Sequence, residues 1–184
     1  TPNAFYGEFG WAAGTTGLKV PDATTRWTAS ADVLRPGQTV TLSWDNGQGQ
    51  QFSLRISVDQ NYMFSVEQAV ANTGANPVTV SNYGPISREK QKVQTGSSLV
   101  PKQDVDSWTL HIGPIGVFDD VVNYDTDYST LDEQAAKGVR FGANTGWLGF
   151  GDTYWLTALV PAKGGTSESG FRHGTHSYQA DFAS

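Results

Sequence analysis

The sequence predicts an all-β fold, an antiparallel sandwich of short strands with very little helix, on three observations. Glycine is abundant at 21 of 184 residues, and it accompanies six Trp, seven Tyr and nine Phe. Gly-rich turns between aromatic and β-branched runs are the composition of a strand-built protein. Val40, Leu42 and Trp44 alternate with polar residues, and so do Phe52, Leu54, Ile56 and Val58, on either side of Asp45-Asn46-Gly47-Gln48-Gly49. That is a β-hairpin with one buried and one wet face. The third observation is the stretch Gly142 to Pro161, about which the chain is organised. Its second apolar run puts Tyr154, Leu156, Ala158 and Val160 on one face and Trp155, Thr157 and Leu159 on the other. A strand apolar on both faces is expected to be covered on both, so Tyr154–Val160 is predicted as a central strand of the core. Gly151-Asp152 before it and Pro161 after it suit a bounded strand better than a short helix.

In chain order, Phe5, Phe9 and Trp11 alternate along a strand over residues 4–11. Residues 12–38 are loop-rich, with a strand at Arg26–Ala29 and a turn at Arg35-Pro36-Gly37. The hairpin follows, then a third run through Tyr62, Phe64, Val66 and Val70, and a return at Val78–Tyr83; residues 39–83 thus read as a four-stranded meander. Residues 84–107 are polar, and Arg88, Lys90, Lys92 and Lys102 fit a solvated edge or loop. Trp108, Leu110 and Ile112 alternate, and Gly113-Pro114-Ile115-Gly116 is expected to turn. Thr130-Leu131-Asp132-Glu133 fits a capping box and Gly138 a helix stop, which leaves room for one or two turns of helix. Val139–Phe141 starts a strand, Trp147–Phe150 another, Lys163–Gly174 is a Gly/Ser loop, and Ser177–Phe182 is the last strand. No repeat, low-complexity tract or second domain interrupts residues 1–184, so one sandwich domain of roughly ten strands is expected.

The net charge of −6 argues against nucleic acid, whose phosphates require a basic surface, and against a polybasic dock on anionic lipid. Without cysteine there is neither a disulfide framework nor a Cys-based zinc site. No apolar run approaches the roughly 20 residues that span a bilayer. The chain starts at Thr1 with no signal-peptide pattern and reads as an excised piece of something longer.

Reactive chemistry is hard to find. No Gly-x-Ser-x-Gly is present, and Gly149-Phe150-Gly151 lacks the third glycine and helix of a phosphate loop. His173-Gly-Thr-His176 sits in a Gly-rich loop rather than on one face of a helix, and His111 faces away from Leu110 and Ile112, toward solvent or a groove wall. Asp119, Asp120, Asp125, Asp127, Asp132 and Glu133 crowd one segment without EF-hand spacing and read as a solvated acidic face. A carboxylate pair for glycoside hydrolysis is compatible with that composition, but no sequence fixes its separation. Aromatic rings are the remaining resource. Trp44, Trp108, Trp147 and Trp155, with His111, are the candidates for lining a groove, against the plainer reading that these indoles pack in the core.

Four stretches carry a resemblance: Asn72-Thr-Gly-Ala-Asn-Pro-Val-Thr-Val, Gly84-Pro-Ile-Ser-Arg, His111-Ile-Gly-Pro-Ile-Gly-Val-Phe, and Gly146-Trp-Leu-Gly-Phe-Gly-Asp-Thr-Tyr-Trp-Leu-Thr-Ala-Leu-Val-Pro161. In this order they resemble the large periplasmic domain of the YidC family of membrane protein insertases, in its alphaproteobacterial-like form. The resemblance implies a β-supersandwich similar to galactose mutarotases, standing in the periplasm after an N-terminal transmembrane helix. It implies a parent that inserts and folds inner-membrane proteins, alone or beside the Sec translocon, by means of a transmembrane groove this chain lacks. The domain would be a non-enzymatic accessory without cofactor, its partners Sec components and nascent membrane protein segments; a carbohydrate-binding or mutarotase-like role is the alternative. The family domain usually continues through further strands into a helix, so this sandwich is expected to be incomplete at its termini. No functional residue is carried over.

Overall fold

The structure, a computed structural model, describes residues 4–90, 111–134, 137–142, 144–152, 155–162 and 168–183. Among them run fifteen strands and one short helix, so the all-β expectation holds. The chain divides into two compact units, Phe9–Asn82 and Thr1–Glu8 with Tyr83–Ser184. The strand expected across residues 4–11 is two strands, β1 (Phe5–Gly7) and β2 (Gly10–Ala13), one in each unit.

In the unit Phe9–Asn82 a four-stranded antiparallel sheet has the order β3 (Thr28–Ala29), β4 (Gln38–Asp45), β5 (Gln50–Val58), β6 (Phe64–Asn72). The alternation of the hairpin becomes register: Val40 pairs with Ile56, Leu42 with Leu54 and Trp44 with Phe52, all on one face. Onto that face pack Trp11, Trp27 and Val20; Trp11 meets Phe52 edge-on at 5.2 Å between ring centroids, and Trp44 lies 5.8 Å from Phe52. The tight turn rests on its Asx residues. Gly47 N–H donates to Asp45 Oδ1 at 2.7 Å, and buried Asn46 takes the N–H groups of Gln48 and Gln50 while donating to Lys19 O. The fourth strand of this sheet is β3, not Val78–Tyr83. That segment forms β7 (Val80–Tyr83), which pairs with β2.

The other unit is a sandwich of two sheets. One has the order β1, β8 (Ile86–Glu89), β15 (Ser177–Ala183), β14 (Glu168–His173), β11 (Val139–Phe141). The other runs β10 (Val121–Asn123), β9 (Gly113–Phe118), β12 (Thr145–Asp152), β13 (Trp155–Leu159). Between them lie Leu148, Phe150 and Phe171, all fully buried. Phe171 meets Phe118, Phe141 and Phe150 at centroid distances of 6.0, 5.8 and 6.1 Å. The helix α1 (Tyr128–Gln134) inserts Tyr128 and Leu131 into the same core.

Four expectations are corrected here. Gly113–Gly116 does not turn; it is the start of β9, and Gly116 lets β12 lie close, since a Cβ there would stand 2.8 Å from Trp147 O. Of the polar stretch 84–107, Ile86–Glu89 is an interior strand with Ser87 and Arg88 buried, since Arg88 finds internal partners; Lys92 and Lys102 lie outside the described residues. The expected loop Lys163–Gly174 contains β14, whose small residues Ser169 and Gly170 are core positions between neighbouring strands. The helix is capped by Asp127, whose carboxylate accepts the Thr130 N–H at 2.6 Å, three residues before the cap that Thr130-x-x-Glu133 suggested.

The largest correction concerns Tyr154–Val160. The strand forms as Trp155–Leu159, but it is an edge, not a spine, and Tyr154 lies outside the described residues. Only Leu159 is buried, while Trp155, Leu156 and Val160 are 75, 60 and 64 % exposed. Apolar character on both faces does not state whether both are covered from within the same chain.

Candidate polypeptide-docking face

Register assigns the faces of the second sheet, because directly paired residues project to the same side and successive ones alternate. Leu148, Phe150, Leu159 and Thr157 share the side that closes on Phe171. The opposite side carries Val122, Val117 and Trp147 in one row and Ile115, Gly149 and Ala158 in the next. Leu156 pairs with Gly151 beyond them. That outer face holds no charged side chain along these rows, and Val122, Ala158 and Leu156 are exposed on it. A half-buried sheet normally alternates apolar-in with polar-out; here the outward positions are apolar as well.

Glycine shapes this face. A Cβ on Gly149 would stand 1.8 Å from the carbonyl oxygen of Thr157, so only glycine lets β13 approach β12. A Cβ on Gly151 would meet the carbonyl oxygen of His111 at 3.0 Å. The far edge of β13 hydrogen-bonds to no described strand. Among the described residues, face and edge together present apolar side chains and backbone groups without a strand partner, the two features an added extended segment uses.

The predicted groove residues separate. Trp147 is half-buried on the outer face and Trp155 is exposed at the β13 edge. His111 is exposed, its ring Nε2 2.9 Å from Pro114 O, beside Gly151 at the end of the same sheet. Trp44 belongs to the other unit, half-buried on Phe52, where it borders a shallow groove of about 410 Å³ with Lys19, Asp22 and Arg26. Trp108 lies outside the described residues.

A polar network that the sequence did not reveal holds the sandwich interior. The Arg88 guanidinium donates to Asp152 Oδ2 at 2.6 Å and to the Tyr128 hydroxyl, and stands 5.4 and 5.0 Å from the Phe5 and Tyr128 ring centroids. The Tyr128 and Tyr178 rings lie tilted against each other with centroids 4.4 Å apart, and the Tyr178 hydroxyl donates to Asp132 at 3.1 Å. Lys90 meets Asp132 at 3.0 Å and the His173 ring, so the cation that His173 and Asp132 face is an ammonium. Burial pushes both phenols above the ordinary tyrosine range, with the Asp132 carboxylate adding to the shift of Tyr178. Both hydroxyls therefore stay protonated at neutral pH. Among the described residues no cluster of three or more His, Asp or Glu forms a metal-holding group. The pairs that build the network lie 40 and 64 residues apart in sequence, so local patterning carries no sign of them. The one available signal was the Ile86-Ser87-Arg88 alternation inside a segment otherwise read as a solvated edge or loop.

The family model of the YidC periplasmic domain matches residues 1–184. Among curated relatives, the membrane protein insertase YidC of Zymomonas mobilis is 40 % identical over 184 residues, covering 99 % of this chain and 30 % of that protein. That of Granulibacter bethesdensis is 37 % identical, covering 98 % of this chain and 31 % of the relative. That of Rickettsia bellii is 33 % identical, covering 100 % of this chain and 32 % of the relative. The chain thus spans about a third of the length of these relatives. No helix among the described residues is long and apolar enough to cross a membrane.

Proposed function

The chain belongs to the YidC periplasmic domain family, and from that premise we propose that it serves a membrane protein insertase as a non-enzymatic holding surface. The family places it in the periplasm, as a domain of an inner-membrane protein. Its task in this reading is to receive extended apolar segments of membrane proteins during insertion, alone or with Sec translocon components as further partners. One observation carries the proposal: the outer face of β10-β9-β12-β13 is apolar where an ordinary sheet surface is polar, and it ends on a β13 edge that has no strand partner among the described residues. An added strand gains affinity from backbone hydrogen bonds along that edge, while Leu156 and Ala158 offer apolar contact to alternate side chains. The interior network supports a structural part for its charged groups, because Arg88 is engaged with Asp152 and Tyr128, and Asp132 with Lys90 and Tyr178.

A photocrosslinker at Leu156 in the full insertase, with arrested nascent chains of an inner-membrane protein, tests this reading. Adducts to the nascent chain at Leu156, and none at exposed Val33, are expected. Equal labelling at both positions, or none at Leu156, overturns it. Adducts to Sec subunits from the same face would identify the second class of partner.

The runner-up, a carbohydrate-binding or mutarotase-like role, draws on the groove at Trp44, where an indole borders Asp22 and Arg26. The Asp22 carboxylate already accepts from the Thr24 N–H at 2.8 Å and the Thr24 hydroxyl at 2.7 Å, contacts that hold its pKa low. Titration calorimetry with galactose is expected to give no heat; a saturable signal removed by Trp44→Ala would favour the sugar reading.

A further inference from the structure

In the unit Phe9–Asn82, the turn between β5 and β6 exposes Tyr62, Met63 and Phe64 consecutively, at 70, 63 and 61 % of their surfaces. The sequence placed Tyr62, Phe64 and Val66 together in the third run of the meander; instead β6 begins at Phe64 and Tyr62 sits in the turn. The turn is tightly built. Asp59 Oδ1 accepts the N–H groups of Asn61 and Met63 at 2.8 and 2.9 Å, and the Asp59 N–H donates to Met63 O at 3.0 Å. Tyr62 adopts a left-handed φ of 62°, a conformation that disfavours an aromatic side chain and suits Asn or Gly. The chain therefore holds a strained backbone at the residue that projects the first ring. The tip is thus preorganised rather than loose.

From this geometry we propose that the β5–β6 tip is a shallow anchor in the interface of a lipid bilayer. Three arguments select lipid over a protein groove. Successive residues at a hairpin end diverge, so a flat protein surface could cover one or two of the three side chains, whereas a fluid interface surrounds all of them. Tyr, Met and Phe pair apolar bulk with a polar tip at Tyr62, the composition favoured at headgroup level. Behind the apolar tip stands a polar collar: Met63 borders a recess of about 260 Å³ formed with Gln38, Ser57, Asp59 and Ser65. An apolar tip under a polar collar is the arrangement of a side-chain cluster that enters an interface without crossing it. Charge plays little part. The Asp59 carboxylate is committed to the turn, and exposed Arg35, in the turn whose Gly37 N–H donates to Val58 O, is the cationic residue beside it. The surface it fits is zwitterionic lipid. The family supplies the occasion, because a periplasmic domain of an inner-membrane protein works beside a bilayer. This site is separate from the β12–β13 face, so either proposal can fail alone.

The chain contains no cysteine, so Met63→Cys gives a unique attachment point for an environment-sensitive fluorophore. The probe is vesicles of equimolar phosphatidylcholine and phosphatidylethanolamine. A blue shift at position 63 on vesicle addition, insensitive to salt, is expected, with none from the same label at Val121→Cys. In flotation, the serine variant of Tyr62, Met63 and Phe64 together should lose binding, each single serine variant about tenfold of it, as expected for one large apolar side chain. Three results overturn the proposal: no shift at position 63, an equal shift at 121, or binding seen only with anionic lipid and abolished by salt. Far-UV circular dichroism of each variant checks folding. The labelled Met63→Cys protein retains Tyr62 and Phe64 and stays informative should the triple variant misfold.

Discussion

Arg88 offers the sharpest test of how the sandwich is held. Its side chain is 4 % exposed and pairs at 2.6 Å with Asp152, which is 22 % exposed. The guanidinium also donates to Tyr128 and lies against the Phe5 ring. Removing one partner of a buried pair typically costs 3–5 kcal/mol, mostly because a charge stays behind without its counter-ion. Asp152 retains some access to water, which places Arg88→Met near the lower end, at about 3 kcal/mol. For a chain of this size that corresponds to a fall in Tm of roughly 6–12 °C. Urea unfolding followed by circular dichroism measures it. The surface pair Arg55–Glu67, 2.9 Å apart but 57 and 67 % exposed, is the internal comparison, and Arg55→Met should cost no more than about 1 kcal/mol. The double variant Arg88→Met with Asp152→Leu should recover part of the loss, since neither charge of the pair is then left behind. If Arg88→Met costs no more than Arg55→Met, or if the double variant is no better than the single, the interior ion pair is not what secures this sandwich.

Three other outcomes follow from the same structure. Gly149→Ala places a methyl 1.8 Å from Thr157 O, and β13 must shift, so a loss of about 2 kcal/mol or more and faster amide exchange along Trp155–Leu159 are expected. Asp127→Ala should destabilise α1 by about 1 kcal/mol. The Thr130 contacts hold the Asp127 pKa below its ordinary 3.8, so the cap contributes fully above that pH and fades as pH falls through the lower folded value; acid titrations of wild type and Asp127→Ala should converge there. Tyr62→Asn should relieve the left-handed strain and stabilise the chain by about 1 kcal/mol in thermal melts while weakening vesicle binding, and a variant that is both less stable and equally bound would contradict the tip assignment.

Much of the fold was legible because it is local. The 40–58 hairpin followed from alternation and Asx-Gly turn chemistry, and β15 and β11 lay where short two-faced runs stood between turn residues. The family was legible as well, through glycine and aromatic spacing in Gly146–Pro161, and Gly149 shows why: the spacing records where one backbone must pass close to another. The candidate face was not legible as a face, because the indoles in the sequence stood out for their rings and not for an exposed sheet. Trp147 lies on the outer face, Trp155 stands by register on the opposite side at the exposed β13 edge, and Trp44 is half-buried against Phe52 in the other unit.

Sequence alone determined the class of structure, because strand period and turn residues, like the lack of cysteine and the scarcity of histidine, are written residue by residue. Tertiary structure decided which apolar strands are covered. Hydrophobicity reports that a side chain gains by leaving water, not which molecule receives it. Only the position of β13 at a sheet edge shows that Leu156 and Ala158 are left facing outward, and only the meeting of Ile86–Glu89 with β12 and α1 turns a seemingly solvated arginine into the interior's main cation.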